Sequence, residues 1–298
     1  MPATKFICPD GQSIEIAKCL EHCPKASRCM FLPTLRAIAK SVDRKLDSPT
    51  VTELLVGSRE TYLKKTADYA ISPQQTLYAL YGQAVHTINE GCTDGDILSE
   101  IRLHNDTTSG KFDLYGKIID EDEGVLGDLK VTSSYKIMKA LGYYKKSMPT
   151  GEFYKTGPKK GQPKYRQELF KDGVKHVQEW AIQLNYYRML LEAEGFTVNR
   201  MYIQAMCRDT NLRIATERGI DQTVYVIPIN KISDRWMVRY FSAKSRKIKE
   251  ALKLSVLPPV CSDKERWHDR KCLEYCDVGN VCPYGARLRQ EQTGAKAG

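Results

Sequence analysis

Val125-Leu126-Gly127-Asp128-Leu129-Lys130-Val131-Thr132 is the stretch on which the fold turns. Its apolar and β-branched residues follow the acidic turn Asp120-Glu121-Asp122-Glu123-Gly124 and read as a strand. Alternation puts Asp128 and Lys130 on one face with Leu126 and Thr132, and turns Val125, Leu129 and Val131 the other way into a core. A strand-like run over residues 111–119 reaches the same turn from the other side, so the two predict a hairpin. Just inside it lies Gly110-Lys111-Phe112-Asp113, with Phe112 and Leu114 facing opposite to Asp113. Neighbouring strands lie about 5 Å apart, which lets Asp113 and Asp128 converge. Two such carboxylates make a hard oxygen site suited to Mg2+ or Mn2+. Lys130 beside them can orient a water.

Helices flank this hairpin. Ser72-Pro73-Gln74-Gln75 is a helix start: Ser as N-cap, Pro in the first turn, Gln at the capping-box position. The helix runs through Leu77, Leu80, Ala84, Val85 and Ile88 and stops at Gly91. It carries Gly82-Gln83-Ala84-Val85-His86, whose imidazole can complete a metal shell. Downstream, Val177, Trp180, Ala181, Leu184, Tyr187 and Leu191 recur at helical spacing, with Gly195 at the end. Gln183 and Tyr187, four apart, share a face; Tyr187 also lies on the apolar face, where packing alone accounts for it equally well. Strand-like runs at 198–207 and 223–229 and a basic helix over about 233–254 complete a mixed α/β body.

Charge and cysteines are unevenly spread. The 298-residue chain carries a net charge of +10, a balance that suits a polyanion. Residues 139–175 hold ten basic and three acidic side chains. Tyr143, Tyr144, Phe153, Tyr154 and Tyr165 are interleaved with them, and Gly151, Gly157, Pro158, Gly161 and Pro163 mark the middle as a loop. Basic charge attracts phosphates and tyrosines stack on unpaired bases, so Lys145, Lys146, Tyr154, Lys159, Lys160, Lys164, Tyr165 and Arg166 are candidate nucleic-acid contacts; the plainer alternative is a solvated insertion. Eight of the ten cysteines form two quartets, Cys8, Cys19, Cys23, Cys29 and Cys261, Cys272, Cys276, Cys282, both spaced C-x10-C-x3-C-x5-C. Such duplication points to metal or cluster ligation. Cys92 and Cys207 fall outside the pattern and read as small buried hydrophobes. His22 and His268 break the shared spacing and are left out as ligands.

The set Gly82-x3-His86, Gly110-x2-Asp113, Asp128-x-Lys130 and Gln183-x3-Tyr187 resembles the PD-(D/E)XK nucleases of the RecB type. It is similar to the CRISPR-associated RecB-like exonucleases and to the nuclease domain of AddB-like recombination enzymes. The motifs cover roughly residues 78–205, and the ending Cys276-x5-Cys282-Pro283 is similar to that group's iron–sulfur motif. The resemblance implies a restriction-endonuclease-like core, a mixed central sheet flanked by helices. It implies that His86, Asp113 and Asp128 ligate the catalytic Mg2+ or Mn2+, with the Leu129 carbonyl as a further ligand. Lys130 would position or deprotonate the attacking water, and Gln183 and Tyr187 would brace the site or contact the DNA backbone. The relatives use one N-terminal and three C-terminal cysteines, whereas here each end has its own quartet. Zinc and an iron–sulfur cluster are therefore both open for the quartets, in a structural role that clamps the chain ends.

The expected organisation is an N-terminal cysteine module (1–35), a nuclease core (36–255) with the 139–175 insertion, and a C-terminal cysteine module with its tail (256–298). The expected activity is divalent-metal-dependent hydrolysis of DNA, as an exonuclease on single-stranded or free ends, in recombination, repair or CRISPR-like processing. The rival is a non-catalytic DNA-binding protein on a degenerate nuclease core. A third reading is an end-trimming subunit with recombination or spacer-capture protein partners. No G-x-x-x-x-G-K-[ST] string suggests an NTP-driven motor. No apolar run reaches the roughly 18–20 residues that span a bilayer, and the first residues lack a secretion signal. The chain is thus expected to be soluble, cytoplasmic or nucleoid-associated, with no membrane partner.

Overall fold

The computed structural model describes residues 3–42, 49–119 and 123–297. Residues 120–122 of the acidic turn lie outside them. The protein is a mixed α/β fold whose central sheet has five strands in the order Val224–Pro228, Arg200–Cys207, Val125–Thr132, Leu114–Gly116, Ile97–Ser99. All neighbours are antiparallel except Arg200–Cys207 with Val125–Thr132, which run parallel. A parallel pair needs a long crossover, and residues 133–199 supply it, including the helix Gln178–Ala193.

Val125–Thr132 sits in the middle of the sheet, and both its faces are covered. Val125 and Leu129 are buried, but Leu126, on the Asp128 face, also lies wholly inside the main core. The expectation of a single core face is corrected accordingly: a central strand with a parallel partner is enclosed on both sides. Trp180, Leu184, Tyr187 and Leu191 of the Gln178–Ala193 helix fill the same core, where each fully buried Leu or Ile contributes about 1.5–3 kcal/mol. Against it lies the helix Asp234–Leu254, through Met237, Phe241 and Ile248.

The 111–119 run is shorter than its pattern predicts. Only Leu114–Gly116 joins the central sheet; Lys111 belongs to Ser109–Lys111, paired with Arg102–His104. A kink separates the two ladders. The helix Pro73–Glu90 begins on Ser72, whose side chain accepts from Gln75 N, and its C-cap is Gly91. Its expected apolar face is not a core face, because Ala84 is exposed and Ile88 is 66% exposed. The helix touches the central strand and the helix Leu32–Ser41 along narrow lines, so most of its surface meets solvent.

A second core draws on both ends of the chain. Phe6, Cys19, Leu35, Ile38, Tyr62, Leu63 and Val278 are its centre, with Cys276 and Cys282 packed on it. The basic insertion is a separate two-stranded hairpin, Tyr144–Phe153 with Pro163–Phe170. Gly157, Pro158 and Gly161 lie in its turn as expected, but Gly151 and Pro163 are on the strands. Among the described residues no helix is long and apolar enough to cross a membrane.

Candidate metal centre

Strand register builds the site. Leu114 faces Gly127 across one ladder, and Ser99 faces Leu114 across the next. One step further, the same register aligns Glu100 and Asp113, just beyond the ends of their strands, with Asp128 as a row of three carboxylates. The Glu100 backbone is left-handed, φ 54°, and its N–H donates to the Asp113 carbonyl at 3.1 Å. A non-glycine residue in this region is strained, and here the kink turns an acid toward the helix that bears His86.

His86 Nδ1 lies 2.8 Å from Glu100 Oε1 and 3.4 Å from Asp113 Oδ1. Among the described residues these three form the one set of His, Cys, Asp or Glu ligand atoms all within 4.8 Å of one another. Lys111 pairs with the other Glu100 oxygen. Burial alone would raise the Glu100 carboxyl, but hydrogen bonds and charge from Lys111 and His86 hold it below the usual range. Sequence reasoning missed Glu100. The alternation Ile101-Arg102-Leu103-His104 signalled the extra strand, and its pairing would have placed Glu100 opposite Asp113.

Asp113 Oδ2 accepts from Leu129 N at 2.7 Å. The N–H and C=O of a strand residue point to the same edge, so the Leu129 carbonyl faces this site, beyond the last ladder pair. Burial first, and then the charge of Asp128, push the Asp113 carboxyl up to about 7, against the pull of Lys130 and His86. Asp128 is 1% exposed. Lys130 Nζ stands 2.6 Å from its Oδ2 as an ion pair, yet neither Asp128 oxygen meets a donor in hydrogen-bonding geometry. Asp128 thus lies beside the His86–Glu100–Asp113 cluster, not inside it. For Lys130, burial pulls the ammonium down, but Asp128 and Asp113 outweigh it and raise its pKa. It is a cation throughout the neutral range.

Gln183 Nε2 donates to the Tyr187 hydroxyl at 2.9 Å. Tyr187 is both packed in the core and part of the wall of the site, and burial raises its phenol. Gly82, His86, Gly110, Asp113, Lys130, Gln183 and Tyr187 line one cleft of ≈ 400 Å³, so all four sequence motifs meet there. The opposite wall is Thr50, Val51 and Thr52, held by the capping box between Thr50 and Glu53. A second cleft, ≈ 290 Å³, at the start of Arg200–Cys207, holds none of the motif residues.

The donor set suits a hard divalent ion: an imidazole, three carboxylates of which Asp128 is almost fully buried, and a carbonyl at the open edge. Its titration has a checkable consequence. With Asp113 raised to about 7, the folded protein holds more protons than the unfolded chain between about pH 4 and 7. Stability of the metal-free protein therefore falls as pH rises through that window. Thermal unfolding in EDTA from pH 5 to 8 should show this fall, and Asp113→Asn should flatten it.

Gly110 is required by close approach. A Cβ there would lie 2.6 Å from Tyr187 Cε1 and 2.9 Å from Val51 Cγ2. Gly110→Ala should cost about 1–3 kcal/mol in urea unfolding, the usual range for overpacking, because both neighbours are buried in the main core.

The other predicted residues are more scattered. On the hairpin, Lys146 pairs with Glu168 and Met148 with Arg166 on one face; Lys145 pairs with Leu169 and Pro149 with Tyr165 on the other. Lys159 and Lys164 both lie 5.9 Å from the Tyr154 ring, near the turn that also carries Lys160. A basic run that is continuous in sequence is therefore divided over two faces and a tip, because side chains alternate on a strand.

None of the cysteines is in a disulfide. Burial first, then Cys23, Cys29 and Cys8, raise the Cys19 thiol, so the N-terminal four are neighbours. Burial, Cys261 and Cys282 act likewise on Cys272, and burial with Glu60 pushes Cys276 up to about 12. In neither quartet do three sulfurs come within 4.8 Å of one another. Cys207 is buried as expected, but Cys92 is exposed, since it follows the C-cap of a helix that is itself largely in solvent. Comparison with protein-family models and with curated proteins finds no match to this chain.

Proposed function

We propose that the cleft is the active site of a divalent-metal-dependent DNA nuclease with a PD-(D/E)XK-type core, acting on single-stranded or free DNA ends. The observation that carries this reading is the row Glu100–Asp113–Asp128 facing His86, with Lys130 alongside. A divalent ion bound there would lower the pKa of a water and polarise the phosphate oxygens. His86, Glu100 and Asp113 would hold it, and Asp128 and the Leu129 carbonyl, just outside that cluster, would complete the shell. Lys130, an ammonium, orients the attacking water and steadies negative charge on the phosphoryl oxygens; it does not take the proton. Tyr187, fixed by Gln183, closes the wall behind it. The hairpin lysines, arginine and tyrosines add sequence-independent contacts to the DNA backbone and bases. Each cysteine quartet would hold its own Zn2+ or iron–sulfur cluster once its sulfurs draw together; in support, Cys19 feels the other three N-terminal thiols, Cys272 feels Cys261 and Cys282, and Cys19, Cys276 and Cys282 belong to the shared second core.

The test is degradation of end-labelled single-stranded DNA in Mg2+ or Mn2+. Lys130→Ala should lower the rate about 10²-fold, the scale for loss of one preorganised charge-stabilising group. Degradation that is equal in Lys130→Ala and wild type overturns the site. Binding with steep salt dependence and no cleavage in either metal favours the non-catalytic rival. An absorbance spectrum with elemental analysis of anaerobically purified protein separates iron and sulfide from colourless zinc.

A further inference from the structure

Away from the carboxylates, a group of exposed rings gathers near the carboxyl ends of the two parallel strands, and two of them, Tyr78 and Tyr135, have cations over their faces. Thr132 ends one strand and Cys207 the other, and Arg208 N donates to Thr132 O. Arg208 is exposed, and its guanidinium lies 4.2 Å from the centre of the Tyr78 ring. Among the described residues it makes no ion pair. Tyr78 is 54% exposed and meets Tyr81, 49% exposed, edge-on at 6.0 Å.

Asp209 ties this pair to a second one. Its carboxylate accepts from Ser134 N at 2.6 Å and Ser134 Oγ at 2.8 Å, and Arg218 donates to that same hydroxyl at 2.9 Å. Next in sequence is Tyr135, 44% exposed, with Arg218 at 5.4 Å and Lys139 at 5.2 Å from its ring. The chain then enters the basic hairpin, whose Lys145 pairs with Glu217, adjacent to Arg218. At the other end, Tyr78 is two helical turns, about 12 Å, from His86, and Ala79, Gly82 and Gln83 beside it line the cleft.

We propose that Tyr81, Tyr78 with Arg208, and Tyr135 with Arg218 and Lys139 form a track that holds a single-stranded polynucleotide between the cleft and the hairpin. The track rests on the nuclease assignment above and specifies the form of its substrate. Exposed rings offer flat faces to bases, and the cations above them meet the phosphates. A duplex keeps its bases stacked on one another and gives the rings nothing to stack on. The tyrosines serve no core: their rings are half in solvent, so the fold has no need of them.

The experiment uses the full chain without chelator and without added Mg2+ or Mn2+, so that the proposed cleavage does not proceed, and fluorescence anisotropy of a 5′-fluorescein-labelled 20-mer of thymidylate. Tyr78→Ala and Tyr135→Ala should each weaken binding roughly tenfold, within the range for loss of one base stack, and Tyr78→Phe should restore it. A blunt duplex of the same length should bind more weakly than the single strand. Alanine variants that bind like wild type, or a duplex that binds as tightly, overturn the track. Hydrolysis of bis(p-nitrophenyl) phosphate with Mn2+ separates the two levels, because this diester is too small to reach the track. A wild type that hydrolyses it but ignores the oligonucleotide loses the track alone; a wild type that does neither loses the nuclease assignment as well.

Discussion

Asp128→Asn removes divalent-metal-dependent DNA cleavage, by roughly 10³-fold or more, without unfolding the protein. The magnitude follows from what a bound ion supplies, several kcal/mol of charge stabilisation at about 1.4 kcal/mol per tenfold in rate. Asp128 is almost fully buried, has a second carboxylate beside it, and has Lys130 2.6 Å from Oδ2 as its ion-pair partner. One ammonium only partly offsets two closely spaced buried carboxylates; a divalent cation between them would complete the compensation. The same variant therefore gives a second readout that needs no substrate. Mn2+ at a hundredfold excess over its Kd adds about 2.7 kcal/mol to a protein that binds it only when folded. Wild type should melt several degrees higher with Mn2+ than with EDTA, and Asp128→Asn should show little or no such shift. A full Mn2+ shift in Asp128→Asn, together with full cleavage, removes Asp128 from the site.

Glu60→Ala should destabilise the protein by about 3–5 kcal/mol, the cost of stripping one partner from a buried ion pair. Glu60 lies on the helix Ser58–Thr66 and is 6% exposed. It accepts from Lys64 at 3.0 Å and from Lys271 at 2.6 Å, and Lys64 reaches on to Asp277 at 2.9 Å. Burial opposes the charged Glu60, but Lys64 and Lys271 outweigh it and keep its carboxyl below the usual range. Lys271 and Asp277 flank Cys272 and Cys276 in sequence, and Cys261 packs against Gly57 at the start of the same helix. Losing Glu60 leaves two covered ammonium groups facing each other at that junction. Urea unfolding measures the loss, and faster labelling of Cys261 and Cys276 by a thiol reagent locates it. Unchanged stability and labelling show that the junction is held by packing alone.

The four motif segments were legible because strand and helix periods are local. Alternation in Val125–Thr132 put Asp128 and Lys130 on one face, and the four-residue step put Gln183 beside Tyr187, as the hydrogen bond between them shows. Glu100 was not legible in the same way. It becomes a site residue only through a register that carries across two ladders and through a left-handed backbone at that one position. The apolar pattern of Pro73–Glu90 misled for the opposite reason. Periodicity reports which residues share a face, while Ile88 is exposed because nothing packs over the last turns of that helix on its side.

The basic stretch 139–175 shows the same limit. Its charge and aromatic content were plain, but charge counted along a chain says nothing of direction, and strand pairing sends Lys145 and Lys146 to opposite faces. Composition and spacing alone determined that the protein is mixed α/β, that cysteines gather at both ends, and that an aspartate–lysine strand lies between a histidine helix and a glutamine–tyrosine helix. Tertiary structure decided which carboxylates stand in one row, that the two ends share one core, and that exposed tyrosines and arginines from distant segments meet at the ends of the parallel strands. Side-chain periods are written into neighbouring residues, whereas register, kinks and the covering of faces depend on contacts between segments far apart in the chain.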